Sequence, residues 1–187
     1  MGTHEHMIGD KLDLYFTDST DNGYSSEYDE IRFSYLSQLS FGSVLDIGSG
    51  PCKLLTWLDD PNIVYKAVDI RAEVQQHCNC PFYSDVSQVD GKYDLVALLG
   101  TVTFCLLDDK DEYKQTLSYL LGMAKALSNR YVVFTVMKEN TGFDEVNVVV
   151  FSQQEIATIL ANLQITNYTI SAIGPHDVQY IVICDLT

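Results

Sequence analysis

Three carboxylates in the first half of the chain each follow an apolar run, and two glycines shape the turn after the first of them. Asp46 and one apolar residue are followed by Gly48, Ser49 and Gly50. Glycine lets the backbone approach a ligand closely, and the first amides of a following helix offer hydrogen-bond donors. Asp69 ends the next apolar run, 19 residues after Gly50, where a carboxylate can hydrogen-bond both hydroxyls of a ribose. The spacing predicts a nucleoside site.

The third carboxylate is Asp85, which follows another short apolar run and precedes Val86. An acid at this place can accept a hydrogen bond from an adenine amino group. Each acid alone is also consistent with a solvated strand end. Because the carboxyl ends of parallel strands meet at one edge of a sheet, we expect the three acids to face one crevice.

The periodicity of apolar residues predicts the alternating helices and strands that position these acids. Helices are expected over 26–40, 52–59, 71–77 and 109–127, and after a capping box at Ser152–Glu155. Strands are expected over 43–47, 63–69, 81–84, 93–99, 130–137, 165–173 and 178–185. Only residues 174–177 separate the last two strands, and so short a link requires a hairpin. We therefore expect an α/β fold: a Rossmann-like, mostly parallel seven-stranded sheet with helices on both faces and an antiparallel C-terminal hairpin strand.

Length and charge restrict the classes of function. The 187 residues, 47% of them hydrophobic, predict a single domain over 26–187 after a flexible N-terminal arm at 1–25. The net charge of −15 argues against binding of nucleic acid, including DNA, over an extended surface, because cationic side chains supply most of the affinity for phosphates. The chain holds no long apolar run, so we expect a soluble protein with no membrane partner. We also expect the protein to be cytoplasmic and monomeric.

The five cysteines are an odd number without the spacing of a disulfide framework. This pattern predicts reduced thiols in an intracellular compartment. A second Cys/His pair at zinc-finger spacing from His77 and Cys78 is missing from the sequence, so we expect no metal site.

The glycine turn and the acids together resemble the class I S-adenosylmethionine (SAM) dependent methyltransferases. The family's first motif, acid-x-Gly-x-Gly-x-Gly, matches at Asp46, Gly48 and Gly50, with Cys52 in place of the third glycine. Its second and third motifs match at Asp69 and Asp85, and the likeness extends over about 26–187, terminal hairpin included. The resemblance implies SAM as cofactor. It also implies these cofactor-binding residues: Asp46, Gly48, Ser49, Gly50, Asp69, Ile70, Asp85, Val86, Leu99 and Gly100.

Within this resemblance each acid has an implied role. Asp46 would stabilise the turn and face the methionine amino group of SAM. Asp69 would hold the ribose, and Asp85 with Val86 would hold the adenine. Methyl transfer from a sulfonium is an in-line displacement, so alignment can supply most of the acceleration and no catalytic base is identified.

The sequence allows more than one interpretation of the methyl acceptor. Segments 68–78 and 102–106 locally resemble mRNA cap guanine-N7 methyltransferases, and the many Tyr and Asn residues favour a viral source. A cap is small, so capped RNA would be bound with few phosphate contacts. The alternatives are a small-molecule O- or N-methyltransferase and, because of Cys52, a non-catalytic binding subunit.

The acceptor pocket is expected between the arm, the loop after residue 100 and an insertion at 138–150. A hairpin that extends the sheet is an equally good interpretation of this insertion. A flat acceptor would stack on aromatic side chains, although aromatic residues near a core more often serve packing. The candidates are Phe104, Tyr24, Tyr28 and Phe143.

Overall fold

The computed structural model describes residues 26–102, 110–139 and 148–187. Within these ranges eight strands form one sheet, in the order β3-β2-β1-β4-β5-β8-β7, with β6 beside β5. The strands are β1 Ser43–Ile47, β2 Val64–Val68, β3 Phe82–Tyr83, β4 Tyr93–Leu98, β5 Ser128–Lys138, β6 Val150–Phe151, β7 Tyr168–Ile173 and β8 Gln179–Asp185. The predicted arm at 1–25 lies outside the described residues.

Helices connect the strands and cover the sheet. The α-helices are α1 Ser26–Ser34, α2 Lys53–Leu58, α3 Lys110–Leu127 and α4 Gln153–Asn162; 3-10 helices span Tyr35–Gln38, Ala72–His77, Val86–Gln88 and Pro175–Asp177. The predicted capping box is present at α4, where the Ser152 hydroxyl accepts from the Glu155 amide and the Glu155 carboxylate accepts from the Ser152 amide. The predicted helix over 71–77 has 3-10 rather than α geometry.

The pairing of the strands confirms the predicted fold class. β1 to β5 pair in parallel, whereas β8 runs antiparallel to both β5 and β7. The sheet has one strand more than predicted, because β6 joins β5 in parallel through Met137 and Lys138. Parallel strands cannot form a hairpin with each other, so the hairpin interpretation fails for β5 and β6. Residues 140–147 of the predicted insertion lie outside the described part of the chain.

Two hydrophobic clusters lie on the two faces of the sheet. On one face α3 and α4 pack through Leu117, Leu121 and Leu160; on the other, Phe33 and Leu54 bring α1 and α2 to the sheet. β5 is buried on both faces, as expected for a parallel strand between two helical layers. This three-layer packing fixes the carboxyl ends of β1 to β4 along one edge. The strand order reverses between β1 and β4, which is where open α/β sheets bind ligands.

Candidate functional site

The glycine turn after β1 is fixed to the neighbouring strand ends. The amides of Gly48 and Ser49 donate to the carbonyl of Val68 at the end of β2, at 2.7 and 3.1 Å. Thr101, after β4, donates from Oγ1 to the Ile47 carbonyl at 2.5 Å. Gly48 has φ +73°, and a Cβ at this residue would lie 2.5 Å from Oγ1 of Thr101. Glycine is therefore required here by both the backbone conformation and the approach of Thr101.

Asp69 connects the end of β2 to the same turn. Its Oδ2 accepts a hydrogen bond from the Gly50 amide at 2.7 Å, and its Oδ1 accepts from the Arg71 amide at 2.9 Å. Burial raises the pKa of Asp69, and the amides of Arg71 and Gly50 oppose that rise. Nε of Arg71 lies 3.7 Å from Oδ1 of Asp69, so an ion pair adds to the two amide bonds on this carboxylate. Asp69 thus holds both the glycine turn and the segment that follows β2.

Asp46 is a buried carboxyl at the end of β1. Its Oδ2 accepts a hydrogen bond from the hydroxyl of Tyr65 on β2. Burial is the main reason that the pKa of Asp46 rises to about 7; the Tyr65 hydrogen bond lowers this pKa, the charge of Asp69 raises it and that of Arg32 lowers it. Asp46 therefore changes charge near neutral pH and responds to a cation placed beside it.

Two cations lie around a buried acid on the other side of the turn. Arg32 of α1 is 1% exposed and donates to Asp29, while Lys53 Nζ, at the start of α2, lies 3.2 Å from Asp29 Oδ2. We call Asp29, Arg32 and Lys53 the Asp29 cluster. It carries one net positive charge, and Lys53 directly follows Cys52 of the turn. The charge of Arg32 acts on Asp46, so the Asp29 cluster and this acid lie close together near the glycine turn.

The far end of the crevice combines an exposed acid with an exposed apolar side chain. Asp85 is exposed, and its Oδ1 accepts from the Ser87 amide at 2.7 Å, which lowers the pKa of Asp85. Ile70, next to Asp69, is 59% exposed, a large value for so apolar a side chain. Val86 is partly buried against the core. The Asp69 amide donates to the Tyr83 carbonyl at 3.1 Å, which holds the β2 and β3 ends together.

The loop after β4 is held to the strands on either side of it. Leu99 is buried, and Gly100 adopts φ +86°. The Gly100 amide donates to Oγ1 of Thr135 on β5 at 2.8 Å, and Thr135 is itself buried. This bond ties the loop to β5, and the bond from Thr101 to the Ile47 carbonyl ties it to the glycine turn. The predicted cofactor-binding residues lie at the carboxyl edge of the sheet, and their role in binding a cofactor stays a prediction.

The cysteines differ from the sequence-based prediction. Cys52 and Cys78 form a disulfide with their Cα atoms 5.3 Å apart, so the prediction of reduced thiols is wrong for this pair. The Ala72–His77 helix folds back beside the glycine turn and brings Cys78 to Cys52. Cys80 and Cys184 are free thiols, and Cys105 lies outside the described residues. Cys52 has φ +55°.

One of the predicted acceptor-pocket aromatics lies within the described residues. Tyr28 of α1 packs on Gly174, whose Cβ, if present, would lie 2.6 Å from the ring. Gly174 belongs to the turn between β7 and β8, at the same edge of the sheet as the acids, and a role for Tyr28 in an acceptor pocket stays a prediction. Tyr24, Phe104 and Phe143 lie outside the described residues.

Several contributing residues were not singled out by the sequence reasoning. Tyr65 and Thr135 look like ordinary strand residues, and their roles depend on strand register. Arg32 stands on a short helix among polar residues, where a solvated cation is the ordinary expectation. Of these residues only Thr101 could have been suspected from the sequence, because it directly follows the predicted cofactor-binding residues Leu99 and Gly100. Among the described residues no group of three or more metal-ligating side chains is found, and no helix there is both long and apolar enough to cross a membrane.

Solved structures of methyltransferases share the fold of this chain. The sequence matches no protein-family model and no curated protein. Magnesium protoporphyrin IX methyltransferase from Synechocystis PCC 6803, crystallised with S-adenosylhomocysteine (SAH), superposes with a TM-score of 0.61 at 19% identity over 86% of this chain and 82% of its own. The N-methyltransferase NodS from Bradyrhizobium japonicum, also with SAH, gives 0.64 at 14% identity over 95% and 97%. The methyltransferase domain of the bacterial protein CtHen1-C gives 0.62 at 16% identity over 85% and 98%.

These identities are too low to transfer an activity, but the superpositions extend over most of each chain. They agree with the strand order and the terminal hairpin. They also agree with the resemblance of the sequence to class I SAM-dependent methyltransferases. They do not support the local resemblance to cap guanine-N7 methyltransferases, since none of these three proteins is described as a cap methyltransferase. The chain has the fold of the SAM-dependent methyltransferases.

Proposed function

We propose that this protein binds SAM in the crevice at the carboxyl edge of β1 to β4 and transfers its methyl group to an acceptor. The observation that carries the proposal is the bond between the Gly50 amide and Asp69, which we call the Gly50–Asp69 contact. It joins the glycine turn to the acid at the end of β2, inside a methyltransferase fold. An acid serving only as a solvated strand end would not be 7% exposed with both oxygens bound by amides.

The available donors and acceptors fit the parts of SAM. Asp69 stands where a carboxylate can accept from the ribose hydroxyls, and Asp85 offers a carboxylate oxygen toward an adenine amino group. The exposed Ile70 can cover one face of a flat purine. Ionised Asp46 and the positive Asp29 cluster carry charges opposite to those of the amino and carboxyl groups at the methionine end. When bound, SAM supplies a methyl group on a positively charged sulfur.

The chain's own contribution is alignment. Thr101 and Thr135 hold the loop after β4 against the glycine turn, so the two walls of the crevice keep a fixed separation. Acceleration by alignment alone can be large, and it requires no titrating side chain at the reaction centre. Ser49 and Leu99 are proposed to contact the cofactor through this fixed backbone.

For the acceptor we propose a small molecule with a nucleophilic oxygen or nitrogen. The net charge of −15 disfavours a polyanionic substrate. Two of the structural neighbours named above are a porphyrin methyltransferase and an N-methyltransferase. Guanine N7 of an RNA cap is the second candidate, on the local resemblance of segments 68–78 and 102–106. The second of these segments lies almost wholly outside the described residues.

Two measurements test the proposal in sequence. Calorimetry with SAM and SAH should give one site per chain in the wild type. Radiolabelled SAM is then incubated with capped RNA, uncapped RNA and a panel of metabolites that carry phenol, carboxylate or amine groups. Label in a metabolite supports the first candidate, and label released as an N7-methylated cap supports the second. Binding without any transfer would favour the non-catalytic subunit, and absence of binding would contradict the proposed function.

A further inference from the structure

We propose that the Cys52–Cys78 pair is a reversible redox site whose disulfide form holds the crevice in its SAM-binding shape. The inference rests on the proposed function. It assigns to the two sulfurs a role that neither the glycine turn nor the fold requires. It also accounts for Cys52 where the resembling family has glycine.

The position of the disulfide is the first argument. Cys52 ends the glycine turn, and Cys78 directly follows the Ala72–His77 helix, 26 residues later. The closed loop contains β2 and Asp69. Gly50 therefore lies two residues from Cys52, and Asp69 lies nine residues from Cys78. The covalent bond and the hydrogen bond tie the same two segments together.

The backbone at Cys52 is the second argument. Its φ of +55° is in the left-handed region, which a side chain with a Cβ rarely adopts. Its neighbour in the cross-link, Cys78, has its sulfur 3.6 Å from the Gly50 carbonyl oxygen. A tether across the turn holds Cys52 in this conformation. Without the tether, Cys52 is free to relax toward negative φ, and the amide of Gly50 would move with it.

The accessibility of the two sulfurs makes the site reversible. Cys52 is 1% exposed, whereas Cys78 is partly exposed, so an external thiolate can attack the sulfur of Cys78. The sulfur–sulfur bond breaks, Cys52 leaves as a thiolate and takes up a proton, and a mixed disulfide forms at Cys78. A second thiolate then releases Cys78 as a thiol, and the two external thiols depart joined as a disulfide. Oxidation reverses these steps with a low-molecular-weight disulfide such as oxidised glutathione.

Cys80 provides a matched control two residues from Cys78. It is a free thiol, and burial raises its pKa to about 11, so it is a poor attacking nucleophile at neutral pH. Replacing it removes a partly buried cysteine from the same segment without touching the disulfide. Cys78→Ser and Cys80→Ser are therefore the same kind of substitution in the same segment, but only Cys78→Ser removes the cross-link.

The experiment measures the SAM dissociation constant of the full chain after equilibration with reduced or oxidised glutathione. For the wild type and Cys80→Ser we expect at least tenfold tighter binding in the oxidised state. For Cys78→Ser we expect the weaker affinity in both states. Equal affinity of the two wild-type states would overturn the proposal, as would mass spectrometry that finds Cys52 and Cys78 unlinked after oxidation.

Hydrogen–deuterium exchange keeps this test separate from the proposed function. Without any ligand, reduction should increase exchange in peptides containing residues 48–52 and 69–78 and leave the rest of the sheet unchanged. If no state binds SAM but exchange responds in this way, the methyltransferase proposal fails while the tether remains. If SAM binds and neither affinity nor exchange depends on redox state, only the redox proposal fails.

Discussion

The amide of Gly50 lies 2.7 Å from Oδ2 of Asp69, although the two residues stand 19 positions apart in the chain. Asp69 also accepts from the Arg71 amide, so one carboxylate orders both the glycine turn and the backbone that follows β2. A group that is proposed to bind the ribose therefore also shapes the turn below the methionine part. Loss of this carboxylate should affect cofactor binding through both effects.

Substitution of Asp69 tests the cofactor site directly. Asp69→Asn keeps the size of the side chain but replaces one acceptor oxygen by a donor group and removes the charge. A hydrogen bond to a charged group contributes about 1.5–3 kcal/mol, so SAM affinity should fall by tenfold or more. Calorimetry measures the affinity, and circular dichroism checks that the variant is folded.

The matched control for Asp69 is Glu73. It is exposed on the Ala72–His77 helix, and its charge acts on Asp69. Glu73→Gln removes one negative charge from the same region without changing a bond to the turn, so affinity should stay within about twofold because exposed charges interact weakly. A folded Asp69→Asn protein that binds SAM as tightly as Glu73→Gln would show that Asp69 does not hold the ribose.

The sequence was sufficient to place the three acids because their positions depend on local patterns. Each acid stands at or next to the end of a predicted strand, and parallel strands bring such ends to one edge, so the placement of Asp46 and Asp69 follows from pattern and connectivity alone. The two-residue strand β6 lies in the apolar run 148–151, but this run does not show that its partner is the end of β5 or that the two strands are parallel.

Contacts between distant segments were not predictable in the same way. Cys52 and Cys78 meet only because the Ala72–His77 helix folds back beside the turn, and an odd cysteine count gave no indication of it. The hydroxyl of Tyr65 reaches Asp46 because of the register between β1 and β2. Such relationships depend on three-dimensional packing, which a one-dimensional pattern does not encode.

The stability of the protein should depend on the charge of Asp46. Its pKa is about 7 in the folded protein and 3.8 as the ordinary value, so protonated Asp46 favours the folded state. This contribution is fully present below about pH 4 and is lost as the pH rises through about 7. At about 1.4 kcal/mol per pH unit, Asp46 alone should lower the free energy of unfolding by roughly 2–3 kcal/mol between pH 5 and 8.

Urea unfolding of wild type and Asp46→Asn at several pH values isolates this contribution. Other carboxyls titrate as well, so the informative quantity is the difference between the two proteins. Asn cannot ionise, and the variant should therefore gain stability relative to the wild type as the pH rises from 5 to 8. A difference that is independent of pH would show that Asp46 does not titrate in this range.

Tyr65 should set the pH at which the crevice accepts a cationic group. Its hydrogen bond lowers the pKa of Asp46, so Tyr65→Phe should raise this pKa further. If Asp46 must be ionised to face the amino group of SAM, affinity increases with pH up to the pKa of Asp46. The midpoint of that increase should move to higher pH in Tyr65→Phe, as measured by calorimetry between pH 5.5 and 8.

A second tyrosine controls for the loss of a hydroxyl. Tyr93 is also buried, but its hydroxyl donates to the Asp90 carbonyl rather than to an acid of the crevice. Tyr93→Phe should leave the midpoint of SAM binding unchanged, whatever its effect on stability. Equal midpoints in wild type, Tyr65→Phe and Tyr93→Phe would rule out the role of Tyr65.

Substitution by alanine should destabilise the protein more at Gly48 than at Gly91, although the two glycines have similar backbone conformations. Gly48 and Gly91 have φ of +73° and +84°, so a Cβ is strained at both, by about 1–2 kcal/mol. At Gly91 a Cβ meets open space, whereas at Gly48 it lies 2.5 Å from Oγ1 of Thr101. Gly48→Ala should therefore cost about 1–3 kcal/mol more than Gly91→Ala in urea unfolding. Thr101→Ala removes the two atoms nearest to that Cβ, so the double variant Gly48→Ala with Thr101→Ala should recover part of the difference. Equal costs for Gly48→Ala and Gly91→Ala would show that Thr101 does not restrict the turn.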